Sequence, residues 1–217
     1  MNTIIVSDLH IGSRYFLYKK FERFLRNIPD NYEIILNGDI IDSHLAKINQ
    51  PHLNILNILE QQSYRQRVLW VCGNHDIEYI PQALGNIEFK RQHSMEKRLL
   101  IIHGDTFDDV LPHSKVFTKI FVLLHNFRIM LGARPVHKAQ YAKKLRVFYK
   151  FFCKKVMMNA ANYVLKNGYD AITCGHTHYA EDVLYNGVRY INTGAWTESP
   201  SFYLHKAANE MTLKQVD

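Results

Sequence analysis

The chain has 217 residues, 47% of them hydrophobic and 12% aromatic, which is enough to bury a substantial core and excludes disordered, collagenous and low-complexity classes. Lys and Arg number 27 against 20 Asp and Glu, for a formal net charge of +7. The three cysteines, Cys72, Cys153 and Cys174, are odd in number and far apart, so a disulfide framework is excluded and a reducing compartment is expected.

At the N-terminus, Met1 to Asp8 has no basic lead-in and meets an acid where a secretory signal would stay apolar, so no signal peptide is expected. Thr3 to Ser7 is a β-branched run ending in Asp8, with His10 two residues on. Phe16 to Ile28 carries Phe16, Phe21, Phe24 and Leu25 at roughly helical spacing. Glu33 to Asn37 is a second strand, ending in Gly38-Asp39 with Asp42 beyond, and Leu53 to Gln61 a second helix. Val68 to Cys72 then leads into Gly73-Asn74-His75-Asp76, and Leu99 to Ile102 into His103-Gly104-Asp105. Strand, helix, strand, helix, strand implies parallel pairing with right-handed crossovers, hence an α/β fold.

The middle of the chain differs. From Val110 to Tyr169 there is no Asp or Glu, but twelve Lys and Arg, leaving fifteen basic against twenty acidic residues elsewhere. Such a segment is expected to face an anionic partner, whether phosphate, acidic lipid or nucleic acid. Lys115 to Leu124, with Phe127, Ile129, Met130 and Leu131, reads as a helix stopped by Gly132, Arg134 and Pro135. About Lys138 to Leu165 reads as another, with Leu145, Phe148, Phe152 and Val156 on one stripe and Lys143, Arg146, Lys150 and Lys154 elsewhere. Val147, Tyr149, Phe151, Met157 and Met158 lie outside that stripe, an overfilled apolar surface suited to an anionic membrane interface. The longest apolar runs, such as Ile120 to Leu124, are far short of a membrane span. The chain 1–217 is therefore expected to be one domain with a basic helical insertion at about 110–166, cytoplasmic or peripheral on the inner face of the cytoplasmic membrane.

A fifth strand, Ala171 to Cys174, ends in Gly175-His176-Thr177-His178. Val183 to Ile191 forms a hairpin around Asn186-Gly187, and Ser201 to Leu204 and Met211 to Lys214 close the sheets. All five polar clusters thus fall at strand C-termini, where ligands of open α/β sheets collect. Asp8 and His10 project together, Asp39 can bridge two ions, Asn74 supplies an amide oxygen, and His103, His176 and His178 supply imidazoles. Mixed nitrogen and oxygen donors without thiolate suit Mn, Fe, Zn or Ni better than Ca or Mg, and the inventory fits two metals. His44, His52, His93, His113, His125, His137 and His205 are expected to be ordinary histidines, and Cys72 and Cys174 buried strand residues.

Taken in order, Asp8-x-His10, Gly38-Asp39-x-x-Asp42, Gly73-Asn74-His75-Asp76, His103-Gly104-Asp105 and Gly175-His176-x-His178 resemble the signature of the calcineurin-like metallophosphoesterase superfamily. The resemblance implies a four-layer sandwich of two mixed β-sheets flanked by helices, and a dinuclear centre. Asp8, His10 and His178 would hold one metal, Asn74, His103 and His176 the other, and Asp39 would bridge. His75 would stabilise or protonate at the substrate phosphate, with Asp76 orienting it. Such a centre, Mn2+ by expectation, generates a hydroxide that attacks phosphorus in line. Protein phosphatases of this fold carry Arg-Gly after the second Asp, whereas Asp42 is followed by Ser43-His44. His103 to Asp108, the basic insertion, and Tyr190 to Trp196 are instead similar to the UDP-2,3-diacylglucosamine diphosphatase group of lipid A biosynthesis. The best-known branch of that group has Arg where this chain has His75. A lipid-linked nucleotide is therefore the expected substrate. A soluble phosphodiesterase or nucleotide phosphatase, a nuclease and a non-catalytic metal-binding scaffold are the alternatives.

Overall fold

The structure, a computed structural model, describes residues 2–43, 48–76, 84–96, 98–110, 123, 125–133, 135–208 and 210–216. Two mixed sheets are stacked between helices. The six-stranded sheet has the order β11-β10-β1-β2-β3-β4, built from β1 (Asn2–Val6), β2 (Tyr32–Asn37), β3 (Val68–Val71), β4 (Glu88–Lys90), β10 (Phe202–Ala207) and β11 (Glu210–Gln215). The five-stranded sheet has the order β5-β6-β7-β9-β8, from β5 (His93–Met95), β6 (Leu99–Ile101), β7 (Ala171–Cys174), β8 (Glu181–Tyr185) and β9 (Val188–Asn192). β1, β2, β3 and β4 are mutually parallel, as are β6, β7 and β9.

The unbroken apolar runs follow from burial on both strand faces. Along β1, Ile5 points between the sheets, where it joins Ile35, Leu69, Leu99, Ile101, Ile191 and Leu204. Its neighbours Ile4 and Val6 point the other way and pack with Phe21 and Leu25 of α1 (Tyr18–Arg26) and Ile55 and Leu59 of α2 (Gln50–Ser63). On the far side Ile172, Cys174 and Tyr190 meet Phe152, Val156, Ala160 and Val164 of a 21-residue helix in the insertion. These three cores separate four layers, as the family resemblance implies.

α2 begins earlier than its apolar pattern because Asn49 caps it, its side chain accepting the His52 N–H at 3.1 Å, with Pro51 in the first turn. The Asn186-Gly187 turn joins β8 to β9 with both residues at positive φ. The edge strands β4 and β5 escape sequence reading because three residues are too few to show an alternation.

In the insertion, residues 125–130 are helical and stop at Gly132 (φ 88°). Most of the expected helix from Lys115 to Leu124, like His44, His113 and Arg134, lies outside the described residues. The second expected helix is broken in two, α3 (Lys138–Ala142) and α4 (Arg146–Lys166). At the break Lys143 reaches sideways, donating to the His178 carbonyl at 2.6 Å and to the Glu198 carboxylate. Of the residues outside the predicted stripe, Val147 and Phe151 are exposed as expected, but Tyr149 is buried. No helix among the described residues is long and apolar enough to cross a membrane.

Candidate metal centre

β1, β2 and β3 of one sheet and β6 and β7 of the other end side by side, and the backbone stitches those ends together. Asp8 N–H donates to Gly38 O (3.0 Å), Gly175 N–H to His103 O (2.8 Å) and Trp196 N–H to Asp8 O (3.0 Å). Among the described residues eight non-glycines have positive φ, and five of them are Asp8, His10, Asp39, His176 and His178. Left-handed backbone at non-glycine residues persists only where the surroundings enforce it, and it is concentrated at functional sites. Here it turns five side chains into one space.

They form two clusters. In the first, Asp8, His10 and His178 bring donor atoms within 4.8 Å of one another. His178 Nε2 lies 3.2 Å from Asp8 Oδ1 and 3.1 Å from His10 Nε2. The second contains Asp39, His103 and His176 on the same criterion, with His103 Nε2 3.2 Å from Asp39 Oδ2. His103 Nδ1 donates to Asn37 O at 3.0 Å, which fixes the tautomer and leaves Nε2 as the donor atom for a ligand. That nitrogen is buried with the Asp39 carboxylate beside it, an imidazole and a carboxylate converging as two ligands of one cation would. Gly73 and Gly175 keep the space clear: a Cβ at Gly73 would come within 2.4 Å of Asp39 Oδ1, and one at Gly175 within 2.1 Å of Asp8 Oδ2. Asn74 sits exposed on the wall of the adjoining cavity. Nitrogen and carboxylate donors converging in two adjacent clusters fit a pair of divalent cations.

Electrostatics favours charged carboxylates here. Burial alone would raise Asp39, but His103, His10 and His75 hold it well below the usual carboxylate range. Burial likewise opposes charge on His103, yet Asp39 and Asp8 lift it to about 10. His178 moves down, chiefly through burial.

His75 is held from two sides. Its N–H donates to Asp39 Oδ1 (3.0 Å), and Nδ1 meets the Asp42 carbonyl at 2.5 Å, leaving Nε2 3.9 Å from Asp39 Oδ2. Asp76 does not orient it. Asp76 Oδ1 accepts the N–H groups of Ile40 (2.9 Å) and Ile41 (3.0 Å), and Oδ2 that of Gly73 (2.9 Å), so this buried carboxylate braces the two loops behind the site. The role expected for Asp76 falls to the Asp42 backbone.

Three residues were not legible as site members. Asp108 Oδ2 lies 3.1 Å from His176 Nε2. Tyr149 of α4 donates its hydroxyl to Thr177 O, between the two loop histidines. His137, expected to be an ordinary histidine, stacks on His178 with ring centroids 5.2 Å apart. Burial, with His178 and His10 nearby, lowers it to about 3. No spacing signal could have found it, since only the folded insertion brings it there.

Beside the clusters opens a cavity of about 700 Å³, within the range of small-molecule sites. One wall is His10, Asp39, Asn74, His75, His176 and His178; the other, from the insertion, includes Ile129, Val136, Ala142, Leu145, Phe148 and Phe152. Paired metal-ligand clusters at the strand ends of a two-sheet sandwich define a metal-dependent phosphoesterase. The chain belongs to the calcineurin-like phosphoesterase family, whose sequence model matches residues 1–180. Among curated proteins it is similar to the DNA polymerase II small subunits of Methanocaldococcus jannaschii (24% identity; 91% of this chain, 38% of the relative) and Archaeoglobus fulgidus (22%; 96% and 49%). The chain thus spans half or less of those relatives' length. Among solved structures it shares its fold with the E. coli phosphoesterase YfcE (TM-score 0.51, 12% identity, all of both chains). Vacuolar protein sorting 29 of Cryptosporidium parvum is comparable (TM-score 0.50, 13% identity, 99% of this chain and 95% of the other).

Proposed function

We propose that the protein hydrolyses the pyrophosphate of a nucleotide-linked lipid such as UDP-2,3-diacylglucosamine, using two Mn2+ ions. Asp8, His10 and His178 would hold one ion, Asn74, His103 and His176 the other, and Asp39 would be shared by both. The observation that supports this reading is a cavity lined both by the candidate metal ligands and by apolar residues of the insertion, Ile129, Val136, Leu145, Phe148 and Phe152, with Lys138 among them. A substrate that joins a phosphoanhydride to acyl chains has both characters.

The cations, when bound, supply Lewis acidity toward a phosphoryl oxygen and a nucleophilic water. The protein supplies the rest. Asn37 and Asp108 orient His103 and His176, so that their donor nitrogens are held before substrate arrives. His75, anchored through Nδ1, presents Nε2 to the scissile group and gives it a proton or a hydrogen bond as charge develops. Arg14 and Lys138 put positive charge on the cavity wall for the diphosphate. Outside, exposed Val147 and Phe151 beside Arg146, Lys150 and Lys154 suit docking on an anionic membrane.

The test compares Mn2+-loaded protein on UDP-2,3-diacylglucosamine, bis-p-nitrophenyl phosphate and single-stranded DNA under one condition. Release of UMP from the first at the highest kcat/KM is expected. Vesicle flotation checks the membrane part, with binding expected to anionic but not neutral vesicles and to weaken in salt. A second reading, a nuclease or soluble phosphodiesterase, draws on the similarity to DNA polymerase II small subunits and on the basic insertion. Faster cleavage of the DNA would establish it and overturn the lipid assignment.

A further inference from the structure

A third group of donors lies outside the two clusters: His10, Asp42 and His137 bring one ligand atom each within 4.8 Å of one another. His10 and Asp42 follow β1 and β2, whereas His137 belongs to the insertion and caps α3. The group therefore joins two parts of the chain that are far apart in sequence.

Its geometry assigns each nitrogen a direction. His137 Nδ1 accepts the Ala139 N–H at 3.4 Å, which leaves Nε2 as the atom able to ligate. The ring is steadied by its stack on His178 and lies 5.3 Å, centroid to centroid, from His10. His10 uses its two nitrogens on opposite sides: Nε2 faces His178 Nε2 at 3.1 Å, and Nδ1 faces Asp42 Oδ1 at 3.2 Å. Asp42 is half-buried, its carboxylate turned to His10 while its backbone carbonyl holds His75.

We propose that His10 Nδ1, the Asp42 carboxylate and His137 Nε2 form a third divalent-cation site that takes Zn2+, fastens the insertion to the core and inhibits the enzyme. Two imidazoles and one carboxylate with a coordination position to spare make a zinc-type donor set, and one poor for Mg2+ or Ca2+. Binding displaces the proton of His10 Nδ1 to solvent, so that the ring is shared as an imidazolate, with no change of oxidation state. All three residues line the same 700 Å³ cavity as His75, so an ion between them occupies room the substrate phosphate needs. The inference rests on the dinuclear reading at one point, the use of His10 Nε2 by the neighbouring cluster.

The experiment is a Zn2+ titration of chelator-stripped protein, read as metal bound per chain after gel filtration. His137→Phe keeps a ring to stack on His178 but removes the donor, and His137→Ala serves if the bulkier ring disturbs folding. Wild type is expected to saturate at three ions per chain and both variants at two, the ion lost being the weakest. With Mn2+-loaded protein, Zn2+ at the level that fills the third site is expected to suppress wild-type turnover and to leave each variant near its own zinc-free rate. Saturation of wild type at two ions, or variants matching wild type in both zinc count and inhibition, overturns the proposal. His103→Ala separates the two readings. If it leaves the metal count unchanged while the His137-dependent ion persists, the dinuclear assignment fails and the third site stands. If it removes an ion while His137→Phe removes none, the third site alone fails.

Discussion

Asp76→Asn is expected to act on stability before it acts on chemistry. The carboxylate is buried, and its three accepted hydrogen bonds come from the loops that carry Asp39 and His75. In the variant the amide oxygen can keep the N–H groups of Ile40 and Ile41, but its NH2 then faces the Gly73 N–H, donor against donor. A hydrogen bond to a charged acceptor contributes about 1.5–3 kcal/mol. In a chain of this length 1 kcal/mol moves Tm by about 2–4 °C, so the expected fall is about 3–12 °C. Asp76→Ala orphans all three amides at about 1–3 kcal/mol each, a large part of a typical 5–15 kcal/mol stability, and is expected to yield little folded protein. Calorimetry of the Asn variant, with and without Mn2+, measures the effect, and the fall should appear in both states because the bracing is independent of metal. An unchanged Tm with turnover alone reduced would refute this reasoning and return Asp76 to the role of orienting His75.

His75→Ala is expected to keep both metals and to lose about 10²-fold or more in turnover, whereas His10→Ala and Asn74→Ala should lose metal as well as turnover; metal analysis of the purified variants decides. A cation must displace the proton that Asp39 and Asp8, against the penalty of burial, hold on His103 up to about 10, so metal affinity should rise with pH and calorimetric binding should release protons. The same shift has a stability sign in chelated protein. His103 titrates higher folded than unfolded, so its contribution is complete below the unfolded value of about 6.5 and lost as pH climbs through about 10, a loss that melting curves at neutral and strongly alkaline pH should show. Lys143→Met strands the largely buried Glu198 carboxylate and should cost up to about 3 kcal/mol, with Glu198→Gln on top recovering part; equal melting of single and double variants would count against the pairing.

The strand ends were legible because strands buried on both faces read as unbroken apolar runs, so the first polar residue after each run marks a terminus. That reasoning located Asp8, Asp39, Asn74, His103 and His176 but could not show that they come from two sheets, since a β6 end looks like a β2 end in sequence. Asp76 was misread for a local reason: in the tight Gly73 to Asp76 turn its carboxylate folds back onto the Gly73 N–H, so sequence adjacency to His75 gives no contact. His137, Lys143 and Tyr149 were invisible as site residues because their partners lie some 30 to 130 residues away in the chain. Those long-range contacts share a destination. Lys143 holds the carbonyl of His178, Tyr149 that of Thr177, and His137 stacks on the His178 ring. The insertion is therefore fastened to the loop that presents two candidate ligands, His176 and His178, through the two residues that cap α3 and through Tyr149 of α4.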